Sequence, residues 1–150
     1  MTVEEIRLAQ QVVPQFFPRL RQEPFEVKSP RTVEYNCIAW AAGDNQHWWW
    51  PGGKYWPTGL RADDSIPAFV EAFAAQGYQC CDSADIEPGF EKIALYMDDH
   101  EQVTHAARQL PDGHWTSKLG PQWDINHLLE GVCGPAPAYG RVAQILRRPV

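Results

Sequence analysis

The hydrophobic period of this chain changes at Gly77, and that change limits the fold more than any other feature. Before it, apolar residues recur at helical spacing. Thr2 and Glu5 have capping-box spacing, and Val3, Ile6 and Val13 follow roughly at helical period, so a helix is predicted over 3–13, ending at Pro14. The run Asn36-Cys37-Ile38-Ala39-Trp40-Ala41-Ala42-Gly43 starts on a good cap and ends on a glycine suited to the left-handed C′ position, which makes a short helix with Cys37 in its first turn. Ser65-Ile66-Pro67 opens another, with Ile66, Phe69, Val70 and Phe73 on one face. Beyond Gly77, Tyr78–Cys81, Lys92–Met97, Thr104–Leu110, Trp115–Leu119 and Tyr139–Leu146 read as strands. Asp112-Gly113 is the best hairpin signal, as a two-residue turn, and Asp124 caps a short helix over 124–129. Helices followed by strands predict an α+β fold, with N-terminal helices packed on one face of a mostly antiparallel sheet.

At 150 residues the chain is one domain long, and it divides into a helix and extended arm over 1–35, the Cys helix, an aromatic loop and a helix over 36–77, and the sheet region over 78–150. The arm carries four prolines in 14–35, with a short strand at Phe25–Val27. A formal charge of −6 argues against nucleic acid and against an anionic membrane as partner. No apolar run approaches the roughly 20 residues of a membrane helix, and the acidic start MTVEEIRLAQ is unlike a secretory signal, so a cytoplasmic protein is expected. In that compartment Cys37, Cys80, Cys81 and Cys133 read as thiols. Their spacing suits no zinc site, and neither metal nor organic cofactor is implied.

A thiol in the first turn of a helix meets free N–H groups that favour its thiolate, and Cys37 is so placed. Its natural partner is a histidine brought alongside by the fold, for which His105, in a predicted strand among small neighbours, is the best candidate. A two-residue turn at Asp112-Gly113 sets His105 opposite Gly120, with Lys118 on the same face. The stretch HWWWPGGKYWP at 47–57 is an aromatic loop. Its consecutive Trp48, Trp49 and Trp50 cannot all face inward, so the loop, with Trp56, is expected to wall a cleft.

In the order of these elements, Asn36-Cys37-Ile38-Ala39-Trp40-Ala41 followed by Thr104-His105-Ala106, the chain resembles the papain-like cysteine hydrolase superfamily in its compact NlpC-type, CHAP-type and transglutaminase-like forms. More narrowly, NCIAWAAGD, WWWP and GHWTSKLG followed by Asp124-Ile125-Asn126-His127 resemble an uncharacterised bacterial domain family over most of 33–130. The broad resemblance implies a papain-like fold and attack on an amide or isopeptide bond of a peptide or protein. Cys37 is then the nucleophile, His105 the general base and then acid, and Asp124 the orienter, with His127 and Asn126 behind it. The Cys37 N–H and a side chain such as Asn36 or Lys118 hold the oxyanion. By analogy with compact relatives the chain is also expected to suit delivery as a secreted effector. Relatives often place the third residue on the strand after the histidine, where this chain has Thr116-Ser117-Lys118. That departure favours a second reading, a non-catalytic binding domain on a degenerate version of the fold. There Cys37 is a packed core residue beside Trp40, Asp124 only a cap, and the Trp loop meets a ligand or protein partner.

Overall fold

The computed structural model describes residues 1–53, 55–57 and 59–150. Thr2 caps α1 (Val3–Phe16), its hydroxyl accepting the Glu5 N–H at 3.1 Å. The helix runs one turn beyond the predicted stop. Pro14 lies in the last turn, where its missing N–H deprives only the Gln10 carbonyl, and the Phe17 N–H still reaches Val13 O at 3.1 Å. A 3-10 turn over Pro18–Arg21 leads to β1 (Phe25–Ser29), then α2 (Cys37–Ala41) and α3 (Ile66–Ala74), capped by Asn36 and Ser65 as their sequences predict. The remaining elements are β2 (Gln79–Cys81), β3 (Phe90–Met97), β4 (Val103–Gln109), β5 (Trp115–Lys118), β6 (Asp124–His127) and β7 (Arg141–Pro149).

The seven strands form one sheet in the order β1-β6-β5-β4-β3-β7-β2, and every adjacent pair is antiparallel. The fold is α+β, but its helices cover both faces. Ala9 and Val13 of α1 are buried with Ala94, Tyr96, Ala107, Ile125 and Ile145. Ile38 of α2 and Phe69 and Phe73 of α3 are buried with Ile93, Leu95, Ala106 and Leu146. Neighbouring strand residues therefore enter different cores, as the pleat requires, and the two-sided burial explains why β3 reads as an unbroken apolar run.

Two local expectations are overturned, and both bear on the site. The segment predicted as a helix over 124–129 with Asp124 as its cap is instead β6, hydrogen-bonded to β5 on one side and β1 on the other. Four residues cannot nucleate a stable helix in isolation, whereas two flanking strands satisfy the whole segment. The turn after β4 has three residues, Pro111-Asp112-Gly113, closed by Leu110 N–H to His114 O at 2.7 Å, with Gly113 at φ +90°. A two-residue loop would need Pro111 in the closing pair, and proline has no N–H to give. The register is thus Arg108 opposite Thr116 and Gln109 opposite Trp115, one residue from the expected one. A one-residue slip exchanges the faces of every side chain on the strand.

Candidate functional site

Cys37 opens α2 behind the Asn36 cap, but only 6% of it is exposed. Burial pushes its thiol up to about 11, against the smaller opposing effects of the Ala106 backbone and Lys118. The free N–H groups of a five-residue helix do not outweigh the desolvation. Cys37 packs with Ala106 on the α2 face. His105 lies on the other face: it is opposite Tyr96 in the ladder, and its ring lies 4.0 Å from that of Tyr139 at an interplanar angle of 6°. Among the described residues no hydrogen bond joins Cys37 to His105. The nucleophile and base expected from sequence are separated by the sheet.

Lys118 and Asp124 face each other across β5 and β6 on the α2 side. The expected placement of Lys118 with His105 is thereby corrected, the slipped register being the cause. Lys118 is wholly buried. Its ammonium donates to Thr32 O at 2.9 Å and to Gly120 O, and it lies 5.2 Å from the centre of the Tyr35 ring. Burial lowers its pKa to about 8, while Asp124 and Cys37 pull it upward. Asp124 moves the other way, raised by burial against Ser29, Lys118, Lys28 and Arg108. Neither of its carboxylate oxygens reaches hydrogen-bond geometry with any described residue, Ser29 included. The segment 30–35 lies over this cluster, tied down by Lys118 through Thr32.

On the α1 face the slip brings together a group that the sequence reading did not assemble. Ser117 Oγ lies 2.8 Å from His105 Nε2 and 2.6 Å from His127 Nε2, and His127 Nδ1 is 2.6 Å from Leu128 O. Burial holds the pKa of both imidazoles down, that of His127 to about 4 and that of His105 well below its usual value, so both rings are neutral. The tautomers follow. A carbonyl only accepts, so His127 carries its proton on Nδ1 and its Nε2 accepts the Ser117 hydroxyl proton. Ser117 has no second proton and accepts from His105 Nε2–H. His105 Nδ1 is left bare, buried and without a partner. Ser117 was missed because the register was read one residue off, and His127, weighed only as an alternative orienter, was not joined to it because its segment was read as a helix. The signal available in the sequence was Pro111.

The aromatic loop is built on Asn36. Its side chain accepts the Ala39 and Trp49 N–H groups at 3.2 and 3.0 Å and donates to Trp49 O at 2.7 Å. Trp49 is buried, its indole N–H bonded to Asp44 at 2.8 Å. Trp48 and Trp50 are half-buried and, with Val33 and Gly53, line a shallow hollow of about 440 Å³. Trp56 packs edge-on against Phe69 and bonds Arg61 O at 2.9 Å. The loop thus turns Trp49 in and leaves its two neighbours half open, as consecutive residues of an extended segment must. Among the described residues no group of three or more His, Cys, Asp or Glu is placed to hold a metal ion, and no helix is long and apolar enough to cross a membrane.

Residues 26–147 match the family model of a domain of unknown function, DUF7689. No curated protein and no solved structure matches the chain.

Proposed function

The chain belongs to the DUF7689 family, and we propose that it is a non-catalytic protein- or ligand-binding domain on a degenerate papain-like fold, with the Trp-rich loop as its contact surface. The observation that carries this reading is the separation of Cys37 and His105 by the sheet. A buried thiol held at about 11 and a buried neutral imidazole on the far side cannot exchange a proton. The hollow of Val33, Trp48 and Trp50 supports the positive half of the reading. Val33 is 73% exposed, and a loop pinned by Asn36 and Asp44 presents its rings without first having to order them. Its partner is a peptide or protein segment offering an apolar side chain.

Iodoacetamide alkylation across pH, read by peptide mass spectrometry, tests the first half. Cys37 is expected to label slowly and to be indifferent to His105→Ala. Fast labelling with an apparent pKa below about 8.5, lost in that variant, would restore the Cys–His hydrolase. Peptides selected by display against the native chain test the second half, and Trp48→Ala is expected to weaken them tenfold or more. Selected peptides that bind Trp48→Ala unchanged would place the contact surface elsewhere.

One observation favours a hydrolase in altered form. Cys37, Lys118 and Asp124 share the α2 face, where a lysine amine at about 8 is a competent base. In that form Asn36 remains a loop anchor, and segment 30–35 must lift before any amide reaches the thiol. Thiol labelling that is slow in the native chain and accelerates in Tyr35→Ala, which opens the segment over Lys118, would mark this form.

A further inference from the structure

A second apolar hollow lies on the opposite side of the molecule from the Trp loop, under the C-terminal half of α1. It measures about 200 Å³, and its walls include Val12 and Phe16 of α1, Leu119 and Trp123 of the β5–β6 turn, and Pro137 and Tyr139. No charged side chain lines it. Phe16 is 43% exposed at its rim, although a helix end with its neighbours packed would bury such a ring. Most of the chain has filled its interior; this wall has not been filled.

One feature of the hollow points to more than a packing gap. Tyr139 is held from several directions: its ring is stacked on His105 at 4.0 Å and lies 5.1 Å from Phe17. Its backbone accepts the Thr104 hydroxyl at 2.7 Å and donates to Val132 O at 3.0 Å. Among the described residues nothing hydrogen-bonds its hydroxyl, which is not sealed from solvent and is free to donate to a ligand. Behind it, the ring on which Tyr139 stacks carries the unpartnered His105 Nδ1. The hollow therefore has mostly apolar walls, no charge, one neutral amide at Gln122 and a phenol whose ring is held in place.

We infer that this hollow binds a small, uncharged, planar apolar molecule carrying one hydrogen-bond acceptor, which takes the Tyr139 O–H. The size follows from the volume: a dry apolar cavity of about 150 Å³ accepts benzene, so one somewhat larger takes roughly eight to ten heavy atoms. The absence of charge in the walls excludes a carboxylate or an amine, whose desolvation nothing there offsets. Burial keeps the Tyr139 proton in place throughout the working pH range, so the phenol acts as donor. The site is independent of the Trp loop and of the binding function proposed for it.

Acetophenone and α-methylstyrene have the same shape and differ in the carbonyl, which makes them the probes. Titrated into the intact chain and followed by the methyl resonances of Val12 and Val13, acetophenone is expected to bind about five- to tenfold tighter, the worth of one neutral hydrogen bond. Tyr139→Phe removes no intramolecular bond; it is expected to bring the two affinities together without weakening α-methylstyrene. Val12→Trp fills the hollow and is expected to abolish both. Equal affinity of the two probes in the native chain, no saturable binding at millimolar concentration, or a preference that survives in Tyr139→Phe would each overturn the inference. So would a mass that doubles with concentration and reverts in Val12→Trp, which would make the hollow a contact between two copies.

Discussion

Ser117 has one proton and two imidazole neighbours, and this arithmetic fixes the hydrogen positions of the whole α1-face network. Removing the hydroxyl strands a buried N–H on His105 and a buried lone pair on His127. At 1–3 kcal/mol for each unsatisfied group, Ser117→Ala is expected to destabilise the fold by about 3 kcal/mol, read as a fall in the urea midpoint at unchanged slope. A loss below about 0.5 kcal/mol would mean that the three side chains do not form the network. The same burial makes the protein acid-sensitive. Both histidines have folded pKa values below the unfolded one of 6.5, so their contribution is complete above pH 6.5 and is lost as pH falls toward about 4, where His127 finally titrates. Asp124 has the opposite sign: its raised pKa makes the folded state take up a proton earlier than the unfolded state, which returns stability in acid. The urea midpoint is thus expected to drop as pH falls below 6.5, and to drop more steeply in Asp124→Asn at the acid end, where the native carboxyl takes up its proton. A flat profile in both proteins would show that the imidazoles are open to water.

At the scale of elements, the loop between β4 and β5 decides which side chains can meet. The ladder there holds only Arg108 opposite Thr116 and Gln109 opposite Trp115, and His105 bonds sideways to Ser117 where the strands part. Just before β7, Gly140 has φ +82°, and a Cβ added there would meet the Met97 carbonyl oxygen at 2.0 Å, so it has no place. Gly140→Ala is expected to cost 2 kcal/mol or more, seen as a lower melting temperature, and a neutral substitution would place β7 further from β3 than the structure has it. Asn36→Ala removes a helix cap and both side-chain bonds to Trp49. It is expected to cost about 2 kcal/mol and to red-shift the tryptophan emission as the loop loosens; an unchanged spectrum would free the loop from its anchor. The sequence made α2 and α3 legible because caps and helical spacing are local signals, and most strands legible because β-branched and aromatic runs between turns are local too. Register is not local. It depended on Pro111 lacking an N–H, and reading the turn as Asp112-Gly113 alone put Lys118 on the wrong face and hid Ser117. The four residues of β6 carry a cap-like aspartate and no strand signal of their own, and only pairing with both β1 and β5 makes them a strand. The two cores were hidden for a related reason, since a continuous apolar run does not say that helices cover both sides of the sheet.

Over the whole molecule, one side chain ties four regions together. Lys118 stands on β5, faces Asp124 on β6, lies near Cys37 of α2 and holds segment 30–35 through Thr32, all without water contact. An ammonium buried on these terms costs folding energy that its two carbonyl partners and Asp124 only partly return. The cost should be visible in the pH dependence of global stability. The folded pKa of Lys118 is about 8 and the unfolded value 10.5, so below pH 8 both states are protonated and the penalty is full. Between pH 8 and 10.5 the unfolded chain holds the proton more tightly than the folded one, and stability rises with pH by up to about 1.4 kcal/mol per unit. Cys37 and Cys133 then oppose it. Their folded pKa values are raised above the ordinary thiol value of 9.0, so as pH approaches and passes 9.0 the unfolded thiols ionise first and stability is drawn down. Lys118 is the larger effect only in the window from pH 8 to 9. The urea midpoint of the native chain is expected to rise across it and to flatten or fall beyond, and in Cys37→Ala the rise is expected to continue further. Lys118→Met is expected to remove the rise between pH 8 and 9 while leaving the acid limb of His105 and His127 in place. A Cys37→Ala variant whose midpoint is level from pH 8 to 9, or a Lys118→Met variant that keeps the rise, would mean that the lysine reaches water and that segment 30–35 does not seal the α2 face.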